Sequence, residues 1–199
     1  MIVGLTGGIG SGKTKVASLF KKQDAVAVYI ADVEAKIIMN SSETIRAQLI
    51  QLFGKETYQN NQLNRQYLAK IVFEDTKKLT TLNSIVHPEV KKKFQEFVVQ
   101  NADKAYILYE SAILFESESA QQCNFIISVF VHQEERIQRV INRGRNTRTE
   151  VLSRIHNQWK EDKKLLQSHY VINNYALQDT EASVLKIHNI LTKKARSIL

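Results

Sequence analysis

Gly7-Gly8-Ile9-Gly10-Ser11-Gly12-Lys13-Thr14 stands between a short apolar run, Ile2–Thr6, and residues 13–22, where Val16, Leu19 and Phe20 recur at helical spacing. The octet fits G-x-x-x-x-G-K-[ST], and strand, loop, helix is the setting in which that pattern cradles a phosphate. Glycines let a backbone turn through positive φ and approach an anion closely, while the start of a helix adds partial positive charge. Gly8, Ile9, Gly10, Ser11, Gly12, Lys13, Thr14 and Lys15 therefore form the candidate nucleotide cradle. Lys13 is expected to bridge the β- and γ-phosphates, and the Thr14 hydroxyl to sit on Mg²⁺, which takes oxygen ligands in octahedral geometry. ATP and Mg²⁺ are the cofactors this implies. The rival dinucleotide pattern G-x-G-x-x-G would begin at Gly8 and need glycine where Lys13 stands, so it fails.

Working outward, residues 25–30 form a second apolar run, followed at Asp32 by a helical pattern. Further runs at 105–109, 125–131 and 170–172 alternate with helical stretches at 134–143, 149–166 and 181–198. Strands alternating with helices predict an α/β fold, a five-stranded parallel sheet with helices on both faces. About 75 residues separate the second strand from the third, far more than a simple crossover needs. That insert reads as helical throughout, at 44–53, 65–73, 77–86 and 89–99, with Pro88 in the first turn of the last helix.

With 199 residues, 43% of them hydrophobic and 24% charged, the chain can bury a core without disulfides or a structural metal. Its one cysteine, Cys123, has no internal partner, and the N-terminus lacks signal-peptide sections, so a cytoplasmic protein is expected. No apolar run approaches the length of a membrane span. The net charge is +8, and between Arg136 and Arg154 six arginines face Glu150 alone. Such a patch suits nucleic acid, an acidic membrane surface or a polyphosphate. The glycines favour the last, because five of seven fall in the first twelve residues.

No D-x-x-G or N/T-K-x-D pair supports a regulatory GTPase. A small kinase needs an acceptor carboxylate, a helical acceptor-binding insert and an arginine-rich lid, and each has a candidate. Asp32 follows the second strand at the carboxyl edge of the sheet, where it either meets an acceptor hydroxyl or N-caps the next helix. Glu110 ends the third strand, as an outer ligand of magnesium or as a solvated charge. Arg136, Arg139 and Arg143 fall within about 60° of one helical face, where like charges repel unless a polyanion faces them. Arg145 and Arg148 continue the stripe past Gly144, as a hinged lid would.

Taken together these segments resemble the dephospho-CoA kinase family along nearly the whole chain. The resemblance rests on residues 5–13, Ala31-Asp32, Phe53-Gly54, Leu63-Asn64-Arg65, Val72-Phe73, Leu82-Asn83, His87-Pro88 and Leu114-Phe115-Glu116. Arg136-Ile137-Gln138-Arg139, Arg143, Thr147-Arg148, Gln158 and Val171-Ile172 with Asn174 extend it. It implies a P-loop kinase fold in one domain: a core of about 1–32, 100–134 and 167–199, a helical insert of about 33–99 and a lid of about 135–166. It further implies Asp32, Lys13, Arg139 and Arg143 as catalytic, Asn174 beside the nucleotide, and Asp32, Arg65, His87 and Arg148 toward the acceptor. A packed role for His87 at a helix start stays open beside that one. The partner implied is a small molecule, dephospho-coenzyme A, with no nucleic acid and no membrane; a nucleoside or nucleotide kinase shares the same loop and lid. Where the family often has glycine, Ala176 stands, and where it often has Asp-Ala-Asp, Ile30-Ala31-Asp32 stands.

Overall fold

A computed structural model describes the chain except for Glu74, Arg145, Ile198, Leu199 and the side chain of Phe73. The expected continuation of the arginine stripe at Arg145 thus lies outside the described residues. The described chain divides into two compact units, residues 1–30 with 97–199, and residues 31–96.

The first unit is built on five parallel strands: β1 (Ile2–Thr6), β2 (Val26–Ile30), β5 (Tyr106–Glu110), β6 (Phe125–Phe130) and β7 (Tyr170–Asn173), in the order β2-β5-β1-β6-β7. β1 is central, with Val3 and Leu5 fully buried, because a strand covered on both faces reads as a continuous apolar run. α1 (Lys13–Lys21) presents Val16, Leu19 and Phe20 to the sheet, and α9 (Leu177–Arg196) adds Val184, Ile187 and Leu191 to the same core. The remaining helices of this unit are α6 (Gln133–Asn142), α7 (Arg148–His156) and α8 (Glu161–Leu166).

One helix expected over 149–166 is therefore two. The break at 157–160 arises because its polar groups are used elsewhere: Gln158 Oε1 accepts from the Ile9 N–H at 3.0 Å, and the Trp159 N–H donates to Glu116 Oε1 at 2.7 Å.

The second unit holds α2 (Ala31–Ser41), α3 (Glu43–Phe53), α4 (Arg65–Phe73) and most of α5 (Thr76–Gln100). Ser42 caps α3 by accepting from the Ile45 N–H at 3.3 Å. The unit is not helical throughout. β3 (Tyr58–Gln59) and β4 (Gln62–Leu63) form an antiparallel hairpin whose two turn residues, Asn60 and Asn61, take φ of 49° and 62°. Asparagine tolerates that left-handed backbone, which a two-residue hairpin requires at both positions. Asn40 Oδ1 ties the hairpin to α2 by accepting from the Leu63 N–H at 2.9 Å.

The two helices expected at 77–86 and 89–99 are likewise one, α5, with Pro88 inside it. Proline removes the N–H that would reach the Ser84 carbonyl, a loss of about 3 kcal/mol in an isolated helix. Val86, Val90 and Phe94 are buried at steps of four on either side of Pro88, and Pro88 itself faces outward, so packing carries the helix through. Among the described residues no helix is long and apolar enough to cross a membrane.

Candidate active site

The loop 7–12 leaves the carboxyl end of β1 and turns into α1 at Gly12, which has φ 90° and lies against Asn174, so that a Cβ there would fall on Asn174 Nδ2. No side chain caps α1. The N–H groups of a helix's first turn point away from the helix body, and in α1 the Val16 N–H reaches back to the Gly12 carbonyl at 3.1 Å. An uncapped N-terminus at the tip of a central parallel strand is a place for an anion. Ser11 Oγ is buried in this loop without a protein partner among the described residues. Lys13 is buried, with its ammonium 3.4 Å from the Gly8 carbonyl, and Thr14 is exposed. The loop residues thus fit a nucleotide's phosphates: an open N-terminus, a cation folded over the loop and a buried hydroxyl in need of a partner.

Asn174, expected beside the nucleotide, braces the loop. Its Nδ2 donates to the Ser11 carbonyl at 2.7 Å, and its Oδ1 accepts from the Thr180 hydroxyl at 3.0 Å. Glu110 sits at the end of β5, level with Leu5 of β1 and Ile30 of β2, and is 1% exposed. Burial excludes the solvated strand-end charge that the sequence left open.

The arginine stripe is divided by its partners. Arg136 is buried, with Nη1 3.2 Å from Glu161 Oε2. Arg139 Nε donates to Glu135 Oε1 at 3.0 Å, one turn back on α6. Arg148 makes a bidentate pair with Glu134, at 2.9 and 2.8 Å, which holds the Glu134 carboxyl below its ordinary range. Arg143 follows α6 as its C-cap residue, exposed. The count of six arginines against one glutamate ended just short of Glu134, Glu135 and Glu161.

Sequence reasoning gave no role to Glu161 or to buried Lys164, polar residues near this loop. Lys164 is fully buried, 2.9 Å from Glu116 Oε1 and donating to the Ala112 carbonyl at 2.8 Å. Glu116 Oε2, Glu161 Oε1 and Arg136 Nε are buried without a protein partner among the described residues. The signal available was the charged pair Glu161 and Lys164 next to the chain's one tryptophan, in a stretch read only as helical.

In the unit 31–96, α2 begins at Ala31, so Asp32 lies inside the first turn rather than capping it. A carboxylate there meets the positive end of the helix dipole. Its charge also reaches His87, raising a pKa that burial lowers more. His87 sits in the middle of α5, not at a helix start, and Arg65 is the exposed first residue of α4.

The family model described as dephospho-CoA kinase matches residues 1–179. A dephospho-CoA kinase of Chlorobium chlorochromatii is 36% identical over 182 residues, covering 87% of this chain and 85% of the relative. Among solved structures, TT1252 from Thermus thermophilus superposes with a TM-score of 0.82 at 30% identity, covering 96% of each chain. Dephospho-CoA kinase from Campylobacter jejuni shares the fold, with a TM-score of 0.62 at 17% identity, covering 96% of this chain and 97% of that one.

Proposed function

The chain belongs to the dephospho-CoA kinase family, and from that premise we propose that it transfers the γ-phosphoryl group of ATP to the ribose 3′-hydroxyl of dephospho-coenzyme A, giving coenzyme A and ADP. The observation that carries this reading is the uncapped start of α1 at the tip of β1, with Lys13 folded over the loop. In the transfer the acceptor oxygen bonds to the γ-phosphorus as the bond to the β–γ bridging oxygen breaks, with little covalent work for the protein. Catalysis then falls to positioning and to fixed charge.

On this reading the loop amides and Lys13 hold the phosphates, and Arg139 and Arg143 answer charge developing toward the bridging oxygen. Asp32 accepts the hydrogen bond, and finally the proton, of the acceptor hydroxyl. Arg65, His87 and Arg148 serve the acceptor's remaining groups. Asn174 serves the nucleotide site from beside the loop, which it braces through the Ser11 carbonyl.

Thr14, at the start of α1, and Glu110, buried at the end of β5, are the oxygen donors that would serve Mg²⁺. Among the described residues no three acidic, histidine or cysteine side chains group together, and a magnesium ion shared with phosphates needs only one or two protein oxygens and water. When bound it neutralises phosphate charge.

A small-molecule acceptor is favoured over a polynucleotide because Arg136, Arg139 and Arg148 already face Glu161, Glu135 and Glu134, leaving less free charge than the run of arginines from Arg136 to Arg154 suggests. Incubation with ATP, Mg²⁺ and either dephospho-coenzyme A or AMP, followed by chromatography of ADP and coenzyme A, tests the reading. Dephospho-coenzyme A should be phosphorylated far faster, because binding energy from its long arm orients the hydroxyl. Equal kcat/KM for AMP overturns it in favour of a nucleotide kinase.

A further inference from the structure

Ile9 of the phosphate loop is gripped twice from outside the loop. Its side chain packs into the apolar cluster of Ile137 and Val140 from α6 and Val151 from α7. Its N–H donates to Gln158 Oε1 at 3.0 Å, two residues past α7. The Ile9 N–H and the Gly8 carbonyl belong to one peptide group, which is planar, so a bond that orients one end orients the other. That other end accepts from the Lys13 ammonium at 3.4 Å and from the Ser11 N–H at 3.1 Å.

Gln158 is itself held in place. The adjacent Trp159 donates its N–H to Glu116 and stacks on Phe115, with ring centroids 5.4 Å apart and planes 2° from parallel. Arg136, fixed by Glu161, covers the same peptide from the side: a Cβ on Gly8 would fall on Arg136 Nη1, so only glycine permits the approach.

We propose that Gln158 is a positioning residue for Lys13. Through the Gly8–Ile9 peptide it sets the carbonyl that holds the lysine ammonium, and it ties that peptide to α6 and α7, the helices that carry Arg139 and bear Arg143 and Arg148 at their ends. Phosphate binding in the loop and the placement of those arginines are thereby coupled. This rests on the reading of Gly7–Thr14 as the nucleotide phosphate site.

Trp159 is the only tryptophan in the chain and stands next to Gln158, so its emission reports this junction directly. In the full chain, Gln158→Met keeps the side-chain length and removes the acceptor; Gln158→Asn stays polar and falls a methylene short, and serves if the methionine variant does not fold. Titrated with ADP and Mg²⁺, either variant should bind about tenfold more weakly, because the Gly8 carbonyl no longer pre-positions the Lys13 ammonium. The nucleotide-dependent change in Trp159 emission should shrink, and KM for dephospho-coenzyme A should stay within about twofold. In a Lys13→Ala background the same substitution should weaken ADP binding no further, since its route runs through the lysine. Full additivity with Lys13→Ala, or ADP binding equal to wild type, overturns the proposal while leaving the site reading intact. A wild-type chain that ignores ADP overturns the site reading, and this proposal with it.

Discussion

The phosphate loop and the unit 31–96 carry their chemistry in opposite ways. Around the loop the acting groups are contiguous: one run of eight residues supplies the turn, the N–H groups, the ammonium and the hydroxyl, and a strand and a helix in sequence hold them. In the unit 31–96 the candidates Asp32, Arg65 and His87 come from three different helices, and their spacing follows no motif. A site built from the backbone needs a local sequence; a site built from side chains on several helices needs only that those helices pack. The first is therefore sensitive to any change of backbone conformation, the second to the charge and reach of single side chains.

The sharpest way to break this contrast is to remove one charge on each side. Lys13→Ala should lower kcat about 10³-fold and weaken nucleotide binding, because one preorganised donor to transferring phosphate is worth 10²–10³ and the ammonium acts in both ground and transition states. On the proposed reading, in which Asp32 serves the acceptor's hydroxyl and not the nucleotide, Asp32→Asn should lower kcat about 10²-fold with ATP affinity unchanged. Both are read by steady-state kinetics with ADP titrated calorimetrically. Because Asp32 lies in the first turn of α2 and not at its cap, Asp32→Ala should shift Tm by only about 1–3 °C, the worth of one carboxylate at a helix start in a chain of this size. A large Tm loss with kcat near wild type would make Asp32 a helix-start residue and nothing more.

A smaller effect sharpens the arginine assignments. Arg139 is engaged with Glu135 in a surface pair that contributes a few tenths of a kcal/mol at most, so its loss should leave Tm unmoved. Arg139→Ala and Arg143→Ala should lower kcat about tenfold or more while ATP binding holds, if they engage charge only during transfer. Losses confined to KM for ATP would make them ground-state ligands.

The same contrast explains what was legible in the sequence. The octet 7–14 was readable because its requirements are local, and the strand pattern followed from burial on both faces of a parallel sheet. The hairpin at Asn60 and Asn61 was missed because two-residue strands leave too few positions for an alternating pattern, although the paired asparagines were a turn signal. The break at 157–160 and the role of Gln158 were beyond local reading. That side chain's partner lies 149 residues away, and helical spacing on both sides of the break conceals it. Pro88 misled for the converse reason: a strong local breaker was overruled by Val86, Val90 and Phe94, whose burial depends on the rest of the unit.

The smallest effect concerns His87 and tests whether Asp32 and His87 share an environment. Burial holds the His87 pKa below its ordinary 6.5, with the Asp32 carboxylate pulling it partly back. Below pH 6.5 the unfolded chain therefore binds more protons at this position than the folded one, so stability is full above 6.5 and falls as pH drops toward the folded value. His188, lowered by burial in the same way, has the same sign, so the wild-type slope contains both. His87→Gln removes one contribution, and its Tm should fall less than that of wild type between pH 7.5 and 5.5, by on the order of a degree, in scanning calorimetry. Asp32→Asn removes the opposing charge, depresses the His87 pKa further and should steepen the acid loss; in the double variant that steepening should vanish. Equal slopes in Asp32→Asn and wild type would show that the carboxylate and the imidazole do not feel each other, and would separate the acceptor roles proposed for them.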